Sequence, residues 1–466
     1  MSTSLLATWK KELDNKGKYP AYKRIAELIN ENIESGKLQP QDKLPPMRDL
    51  AEALGINYST ASRAYSEAKK RGLIDTTTGA GSFIKGKVPA VKPSLAPYEM
   101  TMNLVIEPSI PTLLEELKDG ALSSIASADL LSSIRYQDFG GSPETKQCFL
   151  GLIKRRVMNA TLDRVVSCPG IHSGLVALVT QLCSNQQIIC VDSLTYPGIK
   201  TIAAQLGKTL FSLERDSDGP LVNAFEDACK THDVAALYIN PTMQNPTSAS
   251  ISKSRREALA DVALLFSIPI IEDDAYGLIS HDSAPTFATL APELTYYING
   301  LSKCFGPGMR TGFILCPTHR KAEYTAGALR SLNVMENPIM HTIVCRWINE
   351  GTLDHMIQAI KREANARQVM IKETLKIHSV SMEENAFHFW IKLPKHLGWN
   401  PSDLATKLRS LGVNAVSSAA FATDNNPPQA LRICFGGPSS RQHCQEQMTI
   451  LSELLNQPAH LARVMY

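Results

Sequence analysis

The chain lacks long hydrophobic runs, because no stretch approaches the roughly 18 apolar residues of a membrane-spanning helix. Its opening residues, MSTSLLATWKKELDNKG, also lack the basic and then apolar order of a secretory signal. These two absences exclude a helical membrane protein and export by a signal of that kind. We therefore expect a cytoplasmic protein that does not act at a membrane.

Closely paired cysteines are lacking as well. The ten cysteines are scattered from Cys148 to Cys444 and include no C-x-x-C pair. Zinc sites and disulfide-rich small domains both need cysteines at short, regular spacing. The pattern indicates reduced, mostly buried thiols, and we predict no metal site.

Length and charge indicate more than one domain. A chain of 466 residues with 44% hydrophobic content is expected to form two or three globular domains. Residues 1–87 hold 15 Lys and Arg against 10 Asp and Glu, whereas the remaining residues hold 33 against 35. The basic excess is therefore N-terminal, which fits a small nucleic-acid-binding module attached to a neutral body.

The N-terminal segment has the hydrophobic spacing of three successive helices. In YPAYKRIAELINENIESGKL, apolar residues recur at intervals of three and four until Gly36. Two further helical patterns, MRDLAEALG and STASRAYSEAKKRG, flank a short turn at residues 55–57, which is the arrangement of a helix-turn-helix. The following LIDTTTGAGSFI predicts two short strands joined by a glycine-containing tip, which form a wing.

Polar side chains at the start of the third helix are suited to DNA. They are Asn57, Tyr58, Ser59, Thr60 and, one turn further on, Arg63. Their hydroxyl, amide and guanidinium groups can bond phosphates and base edges. Some of them can instead cap and solvate the helix, since asparagine and serine are favoured N-caps. The order of helices and wing favours the DNA-binding interpretation.

Residues 18–86 resemble the GntR family of bacterial regulators, through KLPPMRDLAEALGINYSTASRAYSEAKKRGLI and GAGSFI. The resemblance implies a winged helix-turn-helix with these residues facing DNA: Arg48, Tyr58, Ser59, Thr60, Arg63 and the wing glycines Gly79 and Gly81. Two residues depart from the family pattern. Tyr58 replaces a frequent arginine and Ala80 replaces a frequent basic residue of the wing, so the base preference does not carry over.

A linker and an α/β domain follow. Residues 87–99, KVPAVKPSLAPYE, contain three prolines and little apolar periodicity, so they predict a semi-extended connector. Beyond them, strand-like runs such as VAALYINP and IPIIEDDAY alternate with helical patterns such as RREALADVALLFS. This alternation predicts an α/β fold with a mostly parallel sheet. We therefore place domains at 1–86 and 100–466.

Polar motifs follow the predicted strands, where ligand sites form in parallel sheets. CPGIHSGL offers the amides of Gly170, Ile171 and His172 to a phosphate at a helix N-terminus. Later motifs supply Asn245, Asp273, Tyr276, Ser302, Lys303 and Arg310. Pyridoxal phosphate needs this set, because its aldehyde condenses with a lysine and its ring nitrogen pairs with a carboxylate. Its phenolic oxygen takes tyrosine and asparagine, and its phosphate takes serine and arginine.

The order of these motifs over residues 100–466 resembles the fold-type I aminotransferases. The resemblance implies that Lys303 binds the aldehyde and Asp273 binds the ring nitrogen. It further assigns the phenolic oxygen to Tyr276 and Asn245, the phosphate to Ser302, Arg310 and the Gly170–His172 amides, and the ring face to Tyr196. A smaller C-terminal α+β subdomain is implied at about residues 320–466.

Two further residues are implied to act on partners of this domain. Tyr136 would reach the phosphate of a neighbouring subunit, which implies a homodimer through the aminotransferase-like domain. Arg432 would grip the carboxylate of an amino acid in bidentate fashion. Both could instead serve packing or ion pairing. Ser248 stands where a glycine is usual, and NAFHFW lacks the common glycine pair, which bears on whether the domain is a working enzyme.

The two resemblances together are similar to the MocR regulators and cover nearly the whole chain. They imply a bacterial, cytoplasmic, nucleoid-associated regulator that binds double-stranded operator DNA. Its effector would be an amino acid, an amine or pyridoxal phosphate itself, and its genes would belong to amino-acid, amine or vitamin B6 metabolism. The leading alternative is an active aminotransferase that carries a DNA-binding domain.

Overall fold

The structure is a computed structural model that describes residues 3–14, 20–35, 37–38, 42–77, 81–85, 102–127, 130–375, 380–437 and 440–459. The chain divides into two compact units. The first contains residues 1–93, 393–400 and 449–466, and the second contains residues 94–392 and 401–448. The predicted linker at 87–99 lies outside the described residues, and the domain limits proposed from the sequence stay a prediction.

The first unit begins with four helices and a hairpin. Its helices are α1 (Thr3–Asp14), α2 (Ala21–Glu34), α3 (Met47–Leu54) and α4 (Tyr58–Lys70), and its strands are β1 (Ile74–Thr77) and β2 (Gly81–Ile84). Helix α3 ends because Gly55 adopts the left-handed conformation, at φ 68°. Helix α4 begins directly after Asn57, so the turn falls where the sequence predicts it. Helix α1 was not anticipated from the sequence.

An apolar core connects these elements. Trp9 of α1, Ile29 of α2 and Tyr65 of α4 are buried together. The spacing of apolar residues turns one face of each helix toward this core. Strands β1 and β2 pair in antiparallel register, with Ile74 opposite Ile84. The predicted winged helix-turn-helix fold is confirmed.

A mostly parallel sheet organises the second unit. Its strands are β3 (Val165–Cys168), β4 (Ile188–Asp192), β5 (Thr209–Leu213), a short pair β6 (Arg215–Asp216) and β7 (Gly219–Pro220), β8 (Val234–Ile239), β9 (Ile270–Asp273), β10 (Thr295–Gly300) and β11 (Gly312–Leu315). Within the described residues, the sheet order is β3-β11-β10-β9-β8-β4-β5, and only β11 runs antiparallel to its neighbours. The predicted α/β fold is confirmed.

The remaining helices of the described residues precede, alternate with and follow these strands in the chain. They are α5 (Pro111–Ser127), α6 (Leu130–Ser133), α7 (Pro143–Ile153), α8 (Ile171–Leu182), α9 (Pro197–Gln205), α10 (Val222–Thr231), α11 (Lys253–Phe266), α12 (Phe287–Leu290), α13 (His319–Asn333), α14 (Pro338–Asn349), α15 (Thr352–Thr374), α16 (Pro401–Ser410) and α17 (Arg441–Leu455). Every residue of β8 and β10 is buried, as expected when both faces of a parallel sheet are covered. No helix in the described part of the chain is long and apolar enough to cross a lipid bilayer.

A smaller antiparallel sheet forms the C-terminal α+β part of this unit. Its strands are β12 (Val380–Ser381), β13 (His388–Lys392), β14 (Ala415–Ser417) and β15 (Ala430–Cys434), in the order β12-β13-β15-β14. In the register of β13 and β15, His388 lies opposite Cys434 and Trp390 lies opposite Arg432. Residues opposite each other in an antiparallel pair point to the same face, so these four side chains share one face of the sheet.

Candidate functional site

Two central strands carry polar residues to one edge of the large sheet. Strands β9 and β10 run parallel, with Ile298 opposite Asp273. After β10 the chain turns through a short 3-10 helix at Leu301–Lys303. Because the carboxyl ends of parallel strands meet at the same edge, Asp273 and Lys303 come to one place.

Lys303 lies among aromatic side chains. Its Nζ donates a hydrogen bond to the backbone oxygen of Asn103 at 2.5 Å. The same nitrogen lies 5.5 Å from the ring centroid of Tyr276 and 6.0 Å from that of Phe387. Burial is the main reason that the pKa of Lys303 falls to about 8, and the nearby Arg432 cation lowers it further. At neutral pH this lysine therefore has a much larger neutral, nucleophilic fraction than an exposed lysine.

Asp273 is a buried carboxylate. Its Oδ2 accepts a hydrogen bond from the Tyr238 hydroxyl at 2.7 Å, and its Oδ1 accepts one from the Ala275 N–H at 3.2 Å. Burial raises the pKa of Asp273 to about 6, against the lowering effect of the Tyr238 bond. The ion pairs of the described residues include Asp192 and Asp274 but not Asp273. A cation placed against Asp273 would offset the cost of burying its charge.

Tyr276 is held by a residue that lies 173 positions away in the chain. The Nδ2 of Asn103 donates to the Tyr276 hydroxyl oxygen at 2.6 Å. Because that bond uses a lone pair of the oxygen, the phenolic proton is available to another acceptor. Asn103 thus contacts Tyr276 through its side chain and Lys303 through its backbone. No sequence motif marks this asparagine, so its place in the site was not predicted.

Hydrogen bonds connect Arg432 to two of the predicted cofactor residues. The Nη1 of Arg432, which is 2% exposed on β15, donates to Asn245 Oδ1 at 3.3 Å. The backbone N–H of Asn245 donates to Asn240 Oδ1 at 2.9 Å, and Asn240 Nδ2 donates to the Asp273 carbonyl oxygen at 2.5 Å. Burial lowers the pKa of Arg432, but arginine stays charged in proteins. A buried guanidinium is a strong binding group for a carboxylate.

The start of α8 has the features of an anion-binding site. Gly170 has a left-handed backbone, at φ 84°, and a side chain there would meet the Arg310 guanidinium at 3.3 Å. Arg310 Nη2 donates to the Pro169 oxygen at 2.9 Å. The first N–H groups of the helix, at Ile171 and His172, therefore share this place with a guanidinium, which suits a phosphate. Desolvation and then the Arg310 charge lower the pKa of His172.

The remaining predicted residues of this unit lie at three places. Tyr196 precedes α9 and is partly buried, and burial and then the Asp273 charge raise its pKa. Ser302 is partly buried in the turn before Lys303. Tyr136 is 81% exposed, so its ring is accessible to another chain.

Asp274, which directly follows Asp273 in the chain, has a separate set of hydrogen-bond partners. Asp274 is fully buried, and its Oδ2 accepts hydrogen bonds from Arg156 Nε at 3.2 Å and from the Tyr297 hydroxyl at 2.8 Å. Arg156 also donates to the Asp282 carbonyl oxygen at 2.6 Å. Asp274 is thus paired with an arginine, whereas the hydrogen-bond donors to the Asp273 carboxylate are the Tyr238 hydroxyl and the Ala275 N–H.

The predicted DNA-binding residues of α4 lie on an exposed surface. Tyr58 is 56% exposed, Ser59 and Arg63 are exposed and Thr60 is half-buried. The guanidinium of Arg63 lies 5.4 Å from the ring centroid of Tyr22. The start of α4 therefore offers hydroxyl groups and one cation to a ligand outside the protein.

The other predicted DNA contacts lie on α3 and the wing. Arg48 is exposed on α3. Gly81 starts β2 with φ 115°, and a side chain there would meet Lys43 Cε at 3.1 Å. Gly79 lies outside the described residues. The Asn57 side chain makes no capping hydrogen bond to α4.

The geometry fits pyridoxal phosphate. The N–H groups at the start of α8 and the Arg310 guanidinium can bind its phosphate. The buried carboxylate of Asp273 can pair with its protonated ring nitrogen, and the Tyr276 hydroxyl can donate a hydrogen bond to its phenolic oxygen. Lys303 offers an amine that is neutral more often than an ordinary lysine. The described residues contain no cluster of three or more His, Cys, Asp and Glu side chains that could hold a metal ion.

The lowered pKa of Lys303 predicts a distinctive labelling profile. In the cofactor-free protein, competitive acetylation of Lys303 should follow a titration with its midpoint at about pH 8. Exposed lysines of the same protein should titrate at about pH 10.4. Mass spectrometry of peptides labelled across this pH range gives both midpoints. A Lys303 midpoint at the value of the exposed lysines would contradict the enclosed environment described above.

Comparison with known proteins identifies both units. Residues 111–446 match the family described as aminotransferase class I and II, and residues 21–84 match the bacterial regulatory proteins of the gntR family. The chain is 28% identical over 465 residues to the HTH-type transcriptional regulator YdeF of Bacillus subtilis, covering 96% of this chain and 97% of that one. It is 24% identical to the HTH-type pyridoxine biosynthesis transcriptional regulator PdxR of Corynebacterium glutamicum, covering 76% of this chain and 78% of PdxR.

A solved structure shares the fold of the second unit. LysN, an α-aminoadipate aminotransferase of Thermus thermophilus, superposes with a TM-score of 0.69 at 18% sequence identity. The match covers 77% of this chain and 91% of LysN. That protein was crystallised with N-(5'-phosphopyridoxyl)-L-leucine.

Proposed function

Because the chain belongs to the aminotransferase class I and II family and carries a gntR-type regulatory domain, we propose that it is a DNA-binding transcriptional regulator of the MocR type. Its aminotransferase-like domain uses pyridoxal phosphate to sense an amino acid, an amine or the cofactor itself. The relatives YdeF and PdxR support this proposal, since both are named as HTH-type transcriptional regulators.

One observation carries the proposal: a single chain presents an exposed polar surface on α4 and, in its other unit, a partly buried lysine of lowered pKa near a buried carboxylate. A metabolic aminotransferase has no use for the first, and a simple repressor has no use for the second. Sensing by a reactive cofactor that controls DNA binding gives both a role.

The residues of the chain divide the work of sensing. Bound pyridoxal phosphate supplies an aldehyde that condenses reversibly with primary amines. Lys303 would hold the cofactor through its side-chain amine, and Asp273 would stabilise the positive charge on the ring nitrogen. Tyr276 and Asn245 hold the phenolic oxygen, while Tyr196 packs on the ring. The α8 amides, Ser302 and Arg310 hold the phosphate.

Effector recognition and signalling follow from the same site. Arg432 binds the carboxylate of an amino-acid effector, as its burial and its bond to Asn245 support. An effector amine that takes the place of the Lys303 amine would favour one of two arrangements of the protein that differ in affinity for the operator. A coupling free energy of about 1–3 kcal/mol corresponds to a change in operator affinity of about fivefold to 150-fold.

We propose that the protein acts as a homodimer. Exposed apolar side chains occur at Leu122, Ile125, Leu131 and Ile134, close in sequence to the 81% exposed Tyr136. Contiguous exposed apolar residues are typical of subunit contacts. A second copy would cover them and bring Tyr136 to the phosphate of the other subunit.

The location and the regulated genes follow from the proposed role. A regulator of this type is expected in the cytoplasm and on the nucleoid. The relative PdxR is named as a regulator of pyridoxine biosynthesis, which supports genes of vitamin B6, amino-acid or amine metabolism as targets. We also propose the domain limits 1–86 and 100–466 with a linker at 87–99.

Operator recognition can be tested by selection from random DNA. Duplexes that bind the full-length protein are selected from a random library, and their dissociation constants are compared with those of scrambled duplexes. A regulator should bind the selected duplex about a thousandfold or more tightly than scrambled DNA. Binding that is equally weak for both would exclude operator recognition.

Arg63→Ala should weaken binding to the selected duplex by about tenfold to a hundredfold, because loss of a base contact costs about 1–3 kcal/mol. Fluorescence anisotropy with a labelled duplex measures the change. Arg71→Ala is the matched control, since the Arg71 side chain is already paired with Glu67 and Glu27. Unchanged affinity in Arg63→Ala would contradict the proposed DNA surface.

Catalytic turnover is the second candidate function. It is favoured by the full set of cofactor groups around an amine with a pKa of about 8. Incubation of the cofactor-loaded protein with an amino acid and a keto acid distinguishes the two. Sustained formation of a new amino acid would move the aminotransferase activity to first place.

A further inference from the structure

His388 lies on the same face of the small sheet as Arg432. It sits opposite Cys434 in the β13–β15 register, and Arg432 is two residues from Cys434 on β15. Diagonal neighbours of this kind are about 7–8 Å apart. The imidazole is fully buried, with its centroid 5.4 Å from that of the Tyr276 ring. His388 therefore lies near both the predicted carboxylate-binding arginine, Arg432, and a predicted cofactor-binding tyrosine, Tyr276.

One nitrogen of this imidazole is fixed. His388 Nε2 lies 3.1 Å from the backbone oxygen of Gln244, and since a carbonyl oxygen only accepts, Nε2 carries the proton. Gln244 is itself held, because its Nε2 donates to Asp192 Oδ2 at 2.9 Å and to the Leu194 oxygen at 2.7 Å. The ring orientation of His388 is thus set by a rigid neighbour.

The other ring nitrogen of His388, Nδ1, is a buried atom that could accept a hydrogen bond. His388 Nδ1 is buried and has no hydrogen-bond partner among the residues that the structure describes. Burial lowers the pKa of His388 to about 3, and the Arg432 and Lys303 cations contribute to this lowering. The ring is therefore neutral, and a neutral imidazole with a protonated Nε2 has an acceptor at Nδ1. Buried acceptors of this kind are normally satisfied.

We propose that His388 Nδ1 accepts a hydrogen bond from the side chain of the effector and selects among amino acids on that basis. This inference rests on the proposed function, which places an amino compound between Lys303 and Arg432. Because those two cations face His388, a neutral donor fits better than an ammonium group. The effector class is an amino acid with a hydroxyl or carboxamide group in its side chain.

The test compares amino acids that differ only by a hydroxyl in place of a methyl group. Three pairs with side chains of increasing length are used: serine with 2-aminobutyrate, homoserine with norvaline, and 5-hydroxynorvaline with norleucine. Calorimetry on the full-length, cofactor-loaded protein gives the dissociation constants. In one of these pairs, the hydroxyl compound should bind at least about tenfold more tightly than its methyl counterpart, because a buried acceptor without a hydrogen bond is costly.

Two variants assign the preference to Nδ1. His388→Gln keeps a donor for the Gln244 oxygen but has no acceptor at the position of Nδ1, so the two members of that pair should bind within about twofold of each other. His388→Asn keeps a polar group at the position of Nδ1 and should retain the preference. The visible absorbance of the bound cofactor shows that each variant is folded at the site.

Each result has a separate meaning. Equal binding within every pair by the unmodified protein overturns the subsite but leaves amino-acid sensing intact, and so does a preference that persists in His388→Gln. Absence of binding by every amino acid to a protein that retains its cofactor overturns amino-acid sensing itself, and the subsite with it.

Discussion

Lys303→Ala should abolish stable attachment of the cofactor. The unmodified protein should keep about one pyridoxal phosphate per chain through a desalting column, because the aldehyde is bound covalently to the lysine amine. The variant should lose most of its cofactor in the same step and lack the visible absorbance band of the bound form. The remaining groups, including Asp273 and the N–H groups at the start of α8, can bind the cofactor only by non-covalent contacts.

The same variant separates sensing from DNA binding. The winged helix is folded around its own core, so Lys303→Ala should still bind the selected duplex, but amino acids should no longer alter that affinity. Lys200→Ala is the matched control: burial also lowers the pKa of Lys200, yet its Nζ donates hydrogen bonds to the backbone oxygens of Ala420 and Ala422. Full cofactor retention by Lys303→Ala would refute the role assigned to this lysine.

The local parts of the fold were predictable because short patterns encode them. The turn before α4 follows from Gly55, which is needed in a left-handed conformation at the end of α3. The strands of the large sheet follow from their apolar runs between polar motifs. The positions of Lys303 and Asp273 at one sheet edge follow from a general property of parallel sheets.

The pairing of distant segments was not predictable. Strand β11 lies between β3 and β10 although it follows both in the chain, and no local pattern states that order. The Tyr238 bond to Asp273 depends on the register of β8 and β9. Asn103 reaches Lys303 from 200 positions away, in a segment with no secondary structure and no motif.

The His388 environment shows the same limit. The sequence NAFHFW is notable for its missing glycines, and nothing in it distinguishes His388 from a core residue. Its significance arises only when β13 pairs with β15 and sets the imidazole near Arg432. A buried polar atom without a partner is a property of the folded state alone.

The two carboxylates at the end of β9 are adjacent in sequence but differ in chemistry. Asp274 is neutralised by Arg156, whereas Asp273 has a hydroxyl and an N–H as its partners. The charge of Asp274 contributes to the raised pKa of Asp273. Arg156 therefore acts in two ways: it stabilises the buried charge of Asp274, and it limits the repulsion between Asp273 and Asp274.

Arg156→Met should destabilise the second unit by about 3–5 kcal/mol, because it leaves a buried carboxylate without its cation. The side chains of Arg156 and Asp274 are 11% and 0% exposed. The variant also removes the donor to the Asp282 carbonyl oxygen. Urea denaturation of the cofactor-free protein measures the loss as a lower midpoint of the transition that belongs to this unit.

The neighbouring residue provides the control. Arg155 pairs with Asp354, but these side chains are 41% and 51% exposed, so Arg155→Met should cost at most about 1 kcal/mol. A second substitution, Asp274→Asn in the Arg156→Met background, removes the orphaned charge and should recover part of the stability. Equal midpoints for Arg155→Met and Arg156→Met would show that the buried pair contributes no more than an exposed one.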